Sequence, residues 1–183
     1  MNETLVFYYL VIAIVILGIA IGFYFINELR KQKRDLSRMK STLDAMPTTL
    51  SSMNTSDGKY QHNLRDYYIM SSFNSCASGG LQNGFVDLEA LSTVLHHGAR
   101  LLDFEIYSIN GRTDVAVSAN DTFYRKGSYN SLPFETVMDW ISKRAFSAST
   151  CPTFHNPLLL HFRIQSRREH VYKDMARSLV RIF

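Results

Sequence analysis

Cysteine is nearly missing from this 183-residue chain, which has only Cys76 and Cys151. Two thiols are too few for a disulfide framework, and they lack the paired spacing of a metal site. Proline (four) and glycine (nine) are sparse, and no repeat is visible, so collagen-like and wholly disordered architectures are excluded. A broad excess of one charge is missing too. The net charge is +4, yet residues 41–183 hold fourteen basic and thirteen acidic side chains. Such a body offers no basic face for nucleic acid. The pI near 9.1 belongs instead to residues 27–40, where six Lys/Arg face only Glu28 and Asp35.

What the chain has in excess is hydrophobicity at one end. Leu5 to Ile26 reads LVFYYLVIAIVILGIAIGFYFI, 22 residues without a charge. As a helix it spans roughly 33 Å, enough for a hydrocarbon core of about 30 Å. Aromatic residues gather at both ends (Phe7, Tyr8, Tyr9; Phe23, Tyr24, Phe25), where amphipathic rings favour the interface. The flank MNET has no basic residue, the core is too long for a signal peptide, and strong charge follows it, so the segment reads as an uncleaved transmembrane helix. Arg30, Lys31, Lys33, Arg34, Arg38 and Lys40 crowd its C-terminal side. The positive-inside rule then translocates residues 1–4 and leaves the rest cytoplasmic, with the six basic side chains facing the anionic leaflet. Gly18 and Gly22 form a small-xxx-small pair suited to close helix approach.

Residues 27–46 read as a basic helical stalk. Leu29, Leu36, Leu43 and Leu50 recur every seventh position with Gln32, Met39 and Met46 between them, and Pro47 stops the helix. Residues 47–59, rich in Ser, Thr, Asn and Gly, read as a linker, and a domain follows over 60–183. Within it, strands are expected at Asp66–Phe73, Arg100–Ile106, Asp114–Ser118 and Pro157–Ile164, the last apolar enough to be covered on both faces. Helices are expected at Val86–His97, Leu132–Phe146 (with Phe134, Val137, Met138, Ile141 and Phe146 on one face) and Arg167–Phe183. The alternation favours an α/β fold with a parallel sheet or barrel. His96-His97 reads as polar decoration at a helix end, and His161 as an interior histidine. Ser71, Ser72 and Ser75 lack a nucleophile elbow.

Five segments, in order and at compatible spacing from about Tyr68 to Phe183, resemble a known family. DYYIMSSFNSCASGGLQ is similar to the opening strand of the X region of phosphoinositide-specific phospholipase C. GARLLDFEIYSINGR resembles that family's second strand, DVAVSANDT its HGH segment, and LPFETVMDWISKRAF its following helix. PLLLHFRIQSRREHVYKDMARSLVRIF resembles its LSLEN strand and the helix after it. The resemblance implies a (β/α) barrel, of which 60–183 would supply half.

It also implies a chemistry. In the family, two histidines serve as general acid and base and a calcium ion stabilises charge. Here the first histidine position is Phe73 and the second is Asn120, and neither side chain shuttles a proton at neutral pH. Such groups contribute roughly 10²–10⁴-fold each, so the family reaction is expected to be lost. Of the calcium ligands, Asn74, Asp103 and Glu105 remain, but the fourth is Arg163. The expectation is a salt bridge, no metal and no other cofactor. The chain then reads as a membrane-anchored, catalytically inactive phospholipase C-like protein. It would act as a structural or interaction component, in an assembly lining a membrane such as a virion. Its partners would be membrane lipids and a protein or second copy completing the half barrel. The alternatives are a phosphodiesterase with displaced catalytic residues, or a phosphoinositide-headgroup binding module.

Overall fold

The computed structural model describes residues 3–46, 53, 57–60, 62–119 and 125–183. Most of the expected linker, Asn54, Leu50 and Asn120 lie outside the described residues. Helix α1 runs unbroken over Glu3–Asp44, so the apolar segment and the stalk are one helix. Its apolar half, from Leu5 to Ile26, is exposed on every side. By length and composition it can cross a membrane.

The domain adds α2 (Leu88–His96), α3 (Phe134–Arg144) and α4 (Glu169–Ile182) around five strands: β1 (Ser71–Ser72), β2 (Leu101–Ile109), β3 (Arg112–Ala116), β4 (Leu132–Pro133) and β5 (Leu159–Ile164). Strand β2 is central. It pairs in parallel with β1 through Ser71–Leu101 and with β5 through Leu101–Leu159 to Ile106–Ile164. The sheet curls into half a barrel. Leu102, Phe104 and Ile106 on β2 point to its outer face and are wholly buried. Leu158, Leu160, Phe162 and Ile164 on or beside β5 pack against the same core. The helices cover this face with the expected apolar stripes: Leu91, Val94 and Leu95 from α2; Phe134, Val137, Met138 and Ile141 from α3; Val171 and Met175 from α4. Asp87 caps α2, its carboxylate accepting from the Glu89 amide at 2.9 Å.

Several expectations are corrected. The sheet is mixed, because β3 returns antiparallel to β2. The cause is local: Asn110 and Gly111 both have positive φ (51° and 79°), which a two-residue hairpin turn with the twist of the strands requires. The strand expected over Asp66–Phe73 shrinks to Ser71–Ser72, preceded by a short 3₁₀ turn at Leu64–Asp66. Only Leu101 and Leu102 offer it a partner edge, and Tyr68 is fully exposed. Strand β5 is half-buried rather than doubly covered, because its inner face looks into the open half barrel. Phe146, placed on the buried face of the third helix, is 49% exposed beyond the helix end, beneath the Arg100 guanidinium.

The stalk is also not free of the domain. Met39 and Leu43 pack against the core, so the seven-residue seam faces α2. His97 is buried; its Nδ1 lies 2.9 Å from the Thr93 carbonyl and its Nε2 3.2 Å from Asp44.

Candidate functional site

Strand side chains alternate, so Asp103, Glu105 and Tyr107 share the inner face of β2. Parallel pairing sets His161 beside Asp103 and Arg163 beside Glu105. The turn after β1 brings Asn74 to the same place. Asn74 has φ +48°, a left-handed conformation that asparagine tolerates better than most residues. This turn is pinned to β2 at three points. The Asn74 amide donates to Asp103 Oδ1 at 3.1 Å, the Ser75 amide to the Asp103 carbonyl at 2.9 Å, and the Asp103 amide to Ser75 Oγ at 3.1 Å.

Arg163 ties the cluster together. Its Nε donates to Asp103 Oδ2 at 3.0 Å, Nη1 to Glu105 Oε1 at 2.6 Å, and Nη2 to Asn74 Oδ1 and Asp103 Oδ1, both at 2.7 Å. One guanidinium thus engages all three residues that the sequence singled out with it. Asp103 and Glu105 are buried, while the Arg163 side chain keeps 27% of its exposure. Glu105 Oε2 accepts two more bonds, from Tyr107 Oη at 2.8 Å and the Ser118 amide at 2.9 Å. Asp103 Oδ2 also faces His161 Nδ1 at 2.7 Å. The Phe73 ring lies 4.4 Å from the guanidinium carbon and is otherwise 64% exposed at the mouth of the half barrel.

Electrostatics follow from these contacts. Burial pushes the Asp103 carboxyl up, but the bonds from Arg163, the Asn74 amide and His161 outweigh it and hold the group below the usual carboxylate range. Burial likewise opposes the charge on Arg163, and the two carboxylates reverse that and raise it. The Tyr107 phenol is pushed well up by burial and then by Glu105. Asp103 and Arg163 therefore stay charged and Tyr107 keeps its proton, so none of these three is poised to exchange protons near neutrality.

Tyr107 went unread in the sequence, while His161 and Phe73 were read there without these contacts. Tyr107 had a signal, its two-residue spacing from Glu105 on a strand. His161 sits on the expected face but is 61% exposed there, rather than interior. Phe73 stacking on Arg163 had no signal beyond its place in the chain. Of the six stalk cations, Lys31 is half-buried and engaged with Glu28 and the Asn83 carbonyl, whereas Arg30, Lys33, Arg34, Arg38 and Lys40 are exposed. A cavity of about 390 Å³ lined by Tyr60, Tyr67, Met70, Arg100 and Leu159 lies at the other end of the strands, away from this cluster. Among the described residues, no group of three or more His, Cys, Asp or Glu is arranged to hold a metal ion.

Comparison with known proteins agrees with the fold. The crystal structures of L. pealei PLC21 and S. officinalis PLC21 are similar to this chain with TM-scores of 0.52 and 0.53 and 23% identity each. They cover 65% and 66% of this chain, which spans only 14% of theirs. No curated protein sequence matches. At that identity the likeness is one of fold. The family model described as phosphatidylinositol-specific phospholipase C, X domain, matches residues 60–183. With a half-barrel sheet and that match over two thirds of its length, the chain belongs to the phosphatidylinositol-specific phospholipase C X-domain family.

Proposed function

We propose that this protein is a membrane-anchored, catalytically inactive X domain that serves as a structural or interaction component at a membrane. The observation that carries the reading is Arg163. Its guanidinium stands among Asn74, Asp103 and Glu105 and takes up an oxygen from each. Calcium takes six to eight oxygen ligands and gains from negative charge, and this donor set already has a fixed cation inside it. The residues present do not suit calcium. Phe73 stands at the first of the two family histidine positions, stacked on Arg163, and no proton transfer is available to its ring. The second position, Asn120, supports the reading from sequence alone.

The anchor follows from the uncharged run Leu5–Ile26, and the basic collar after it favours a cytoplasmic domain and an anionic leaflet. The open inner face of the half barrel, where Leu159 and His161 stand beside Arg163, suits completion by a protein partner or a second copy. An assembly lining a membrane, such as a virion, would use such a protein.

The test is hydrolysis of phosphatidylinositol in mixed vesicles by the purified full chain, with and without calcium. The expected result is no turnover in either condition. Turnover that Asp103→Ala abolishes would establish an active phosphodiesterase and end the inactive reading. Specific retention on phosphoinositide vesicles without turnover, lost in Arg163→Ala, would favour a headgroup-binding module instead.

A further inference from the structure

Beyond its apolar half, α1 lies along the domain, and its contacts run in order. Lys31 Nζ donates to the Asn83 carbonyl at 2.7 Å and sits 5.8 Å from the centre of the Tyr129 ring. Gln32 Nε2 donates to Asp87 Oδ2 at 2.9 Å. Asp35 presses on Gly79 so closely that a Cβ there would meet its carboxylate at 2.7 Å. Met39 and Leu43 pack on the core, and Asp44 reaches His97 at 3.2 Å. Asp87 caps the start of α2 and His97 caps its end. Gln32 to Asp44 covers roughly 18 Å of helix and Asp87 to His97 roughly 15 Å, so the two helices run side by side in the same direction.

That pairing fixes which end of the domain is nearest the apolar segment. Helix α2 connects the parallel strands β1 and β2, so it runs opposite to them and begins at their C-terminal ends. The mouth of the half barrel, with Phe73 and the Arg163 cluster, therefore lies at the Lys31 end of the stalk. Lys31 lies five positions beyond Ile26, roughly 8 Å along the helix. The headgroup layer of one leaflet adds about 5–8 Å to the hydrocarbon core. Asn83 and Tyr129 fall at that depth. Tyr129 is 48% exposed and its ring packs against Phe85 at 5.3 Å, an amphipathic pair suited to an interface. Lys126, whose ammonium donates to the Ser128 and Tyr129 carbonyls, and exposed Arg125 add positive charge beside it.

We propose that the stalk half of α1 is a bracket that holds the domain in one orientation, pressing the surface formed by Gln82–Phe85 and Arg125–Tyr129 into the lipid headgroup layer. This rests on the reading that Leu5–Ile26 crosses a membrane. The end of the domain that carries His96 and Ser149 stands roughly 20 Å farther out, the length of α1 from Lys31 to Asp44. Such a bracket gives the domain a fixed presentation, with the open inner face and the outward end always in the same relation to the bilayer.

The test uses the full chain in phosphatidylcholine–phosphatidylserine vesicles, with a fluorophore on Tyr129→Cys or on Ser149→Cys; the native Cys76 and Cys151 are buried. Nitroxide on the lipid headgroups should quench the probe at 129 several-fold more than the probe at 149. The double change Met39→Asp with Leu43→Asp, made in each background, should erase that difference while the chain still resists alkaline extraction from the vesicles. Equal quenching at the two positions in a chain that resists extraction would overturn the bracket alone. A chain that alkali extracts would overturn the anchor reading and the bracket with it.

Discussion

The two faces of β2 are buried to the same degree and built from opposite chemistry. On the outer face Leu102, Phe104 and Ile106 disappear beneath the helices; on the inner face Asp103, Glu105 and Tyr107 are between 1% and 5% exposed although the half barrel is open there. The outer face needs only apolar volume, and its stabilisation scales with area removed from water. The inner face is stable only because its partners are supplied: Arg163 and His161 from β5, Asn74 and Ser75 from the turn after β1, and the Ser118 amide. A fold can keep the first face and change the second. That is how this chain keeps the X-domain architecture around an inner face of charged and polar groups.

The comparison can be broken from either side, and the outer face should give the larger effect. Phe104 is fully buried and its ring lies beside Phe162 at 6.1 Å, so Phe104→Ala should cost about 3–5 kcal/mol in chemical denaturation. On the inner face, Arg163→Ala leaves two buried carboxylates without their cation. Removing one partner of a buried pair costs about 3–5 kcal/mol, and the partial exposure of Arg163 places this case near about 3 kcal/mol. Asp103 is held below its usual range, so its share of that stability is present above pH 3.8, its ordinary value, and fades as pH falls through the lower folded value. Wild type should therefore be more stable than Arg163→Ala at pH 7 in chemical denaturation, and the two chains should converge in acid.

Tyr107→Phe should be the mildest change, about 1 kcal/mol for the lost bond to Glu105. Its pH dependence has a definite sign. The folded chain holds the phenolic proton more tightly than the unfolded one, so the contribution is intact below pH 10.0, the ordinary value, and is lost as pH rises beyond it. Wild type and Tyr107→Phe should differ at neutral pH and approach each other in alkali. A constant difference across that range would mean that the folded chain does not hold the phenolic proton more tightly than the unfolded one.

Much of this was legible in the residues. The apolar stripes of α2, α3 and α4 follow the helical period closely enough to be read directly, because each helix buries one face only. The grouping of Asp103, Glu105 and Arg163 was legible from the resemblance together with the two-residue period of strands, and Asn74 from its position after β1. The failures have physical causes. Hairpin pairing of β3 depended on positive φ at Asn110 and Gly111, a turn geometry that overrides the strand-helix alternation suggesting a parallel sheet. The run Asp66–Phe73 has aromatic strand propensity but only two residues of partner edge, so its tyrosines turn outward or line a cavity. The seven-residue spacing of the stalk was legible but its partner was not, because nothing local distinguishes a seam that meets a second stalk from one that meets α2.

The central claim is that the Arg163 guanidinium replaces a cation at the heart of the site. It is tested most directly by calcium titration of the full chain in detergent, with thermal melting as the readout, for wild type and Arg163→Glu. Wild type should melt at the same temperature with and without millimolar calcium. Arg163→Glu, with three carboxylates and Asn74 around a vacated centre, should be destabilised without calcium and should recover several degrees when it is added. Stabilisation of wild type by calcium, or an Arg163→Glu chain that calcium leaves unchanged, would contradict the account.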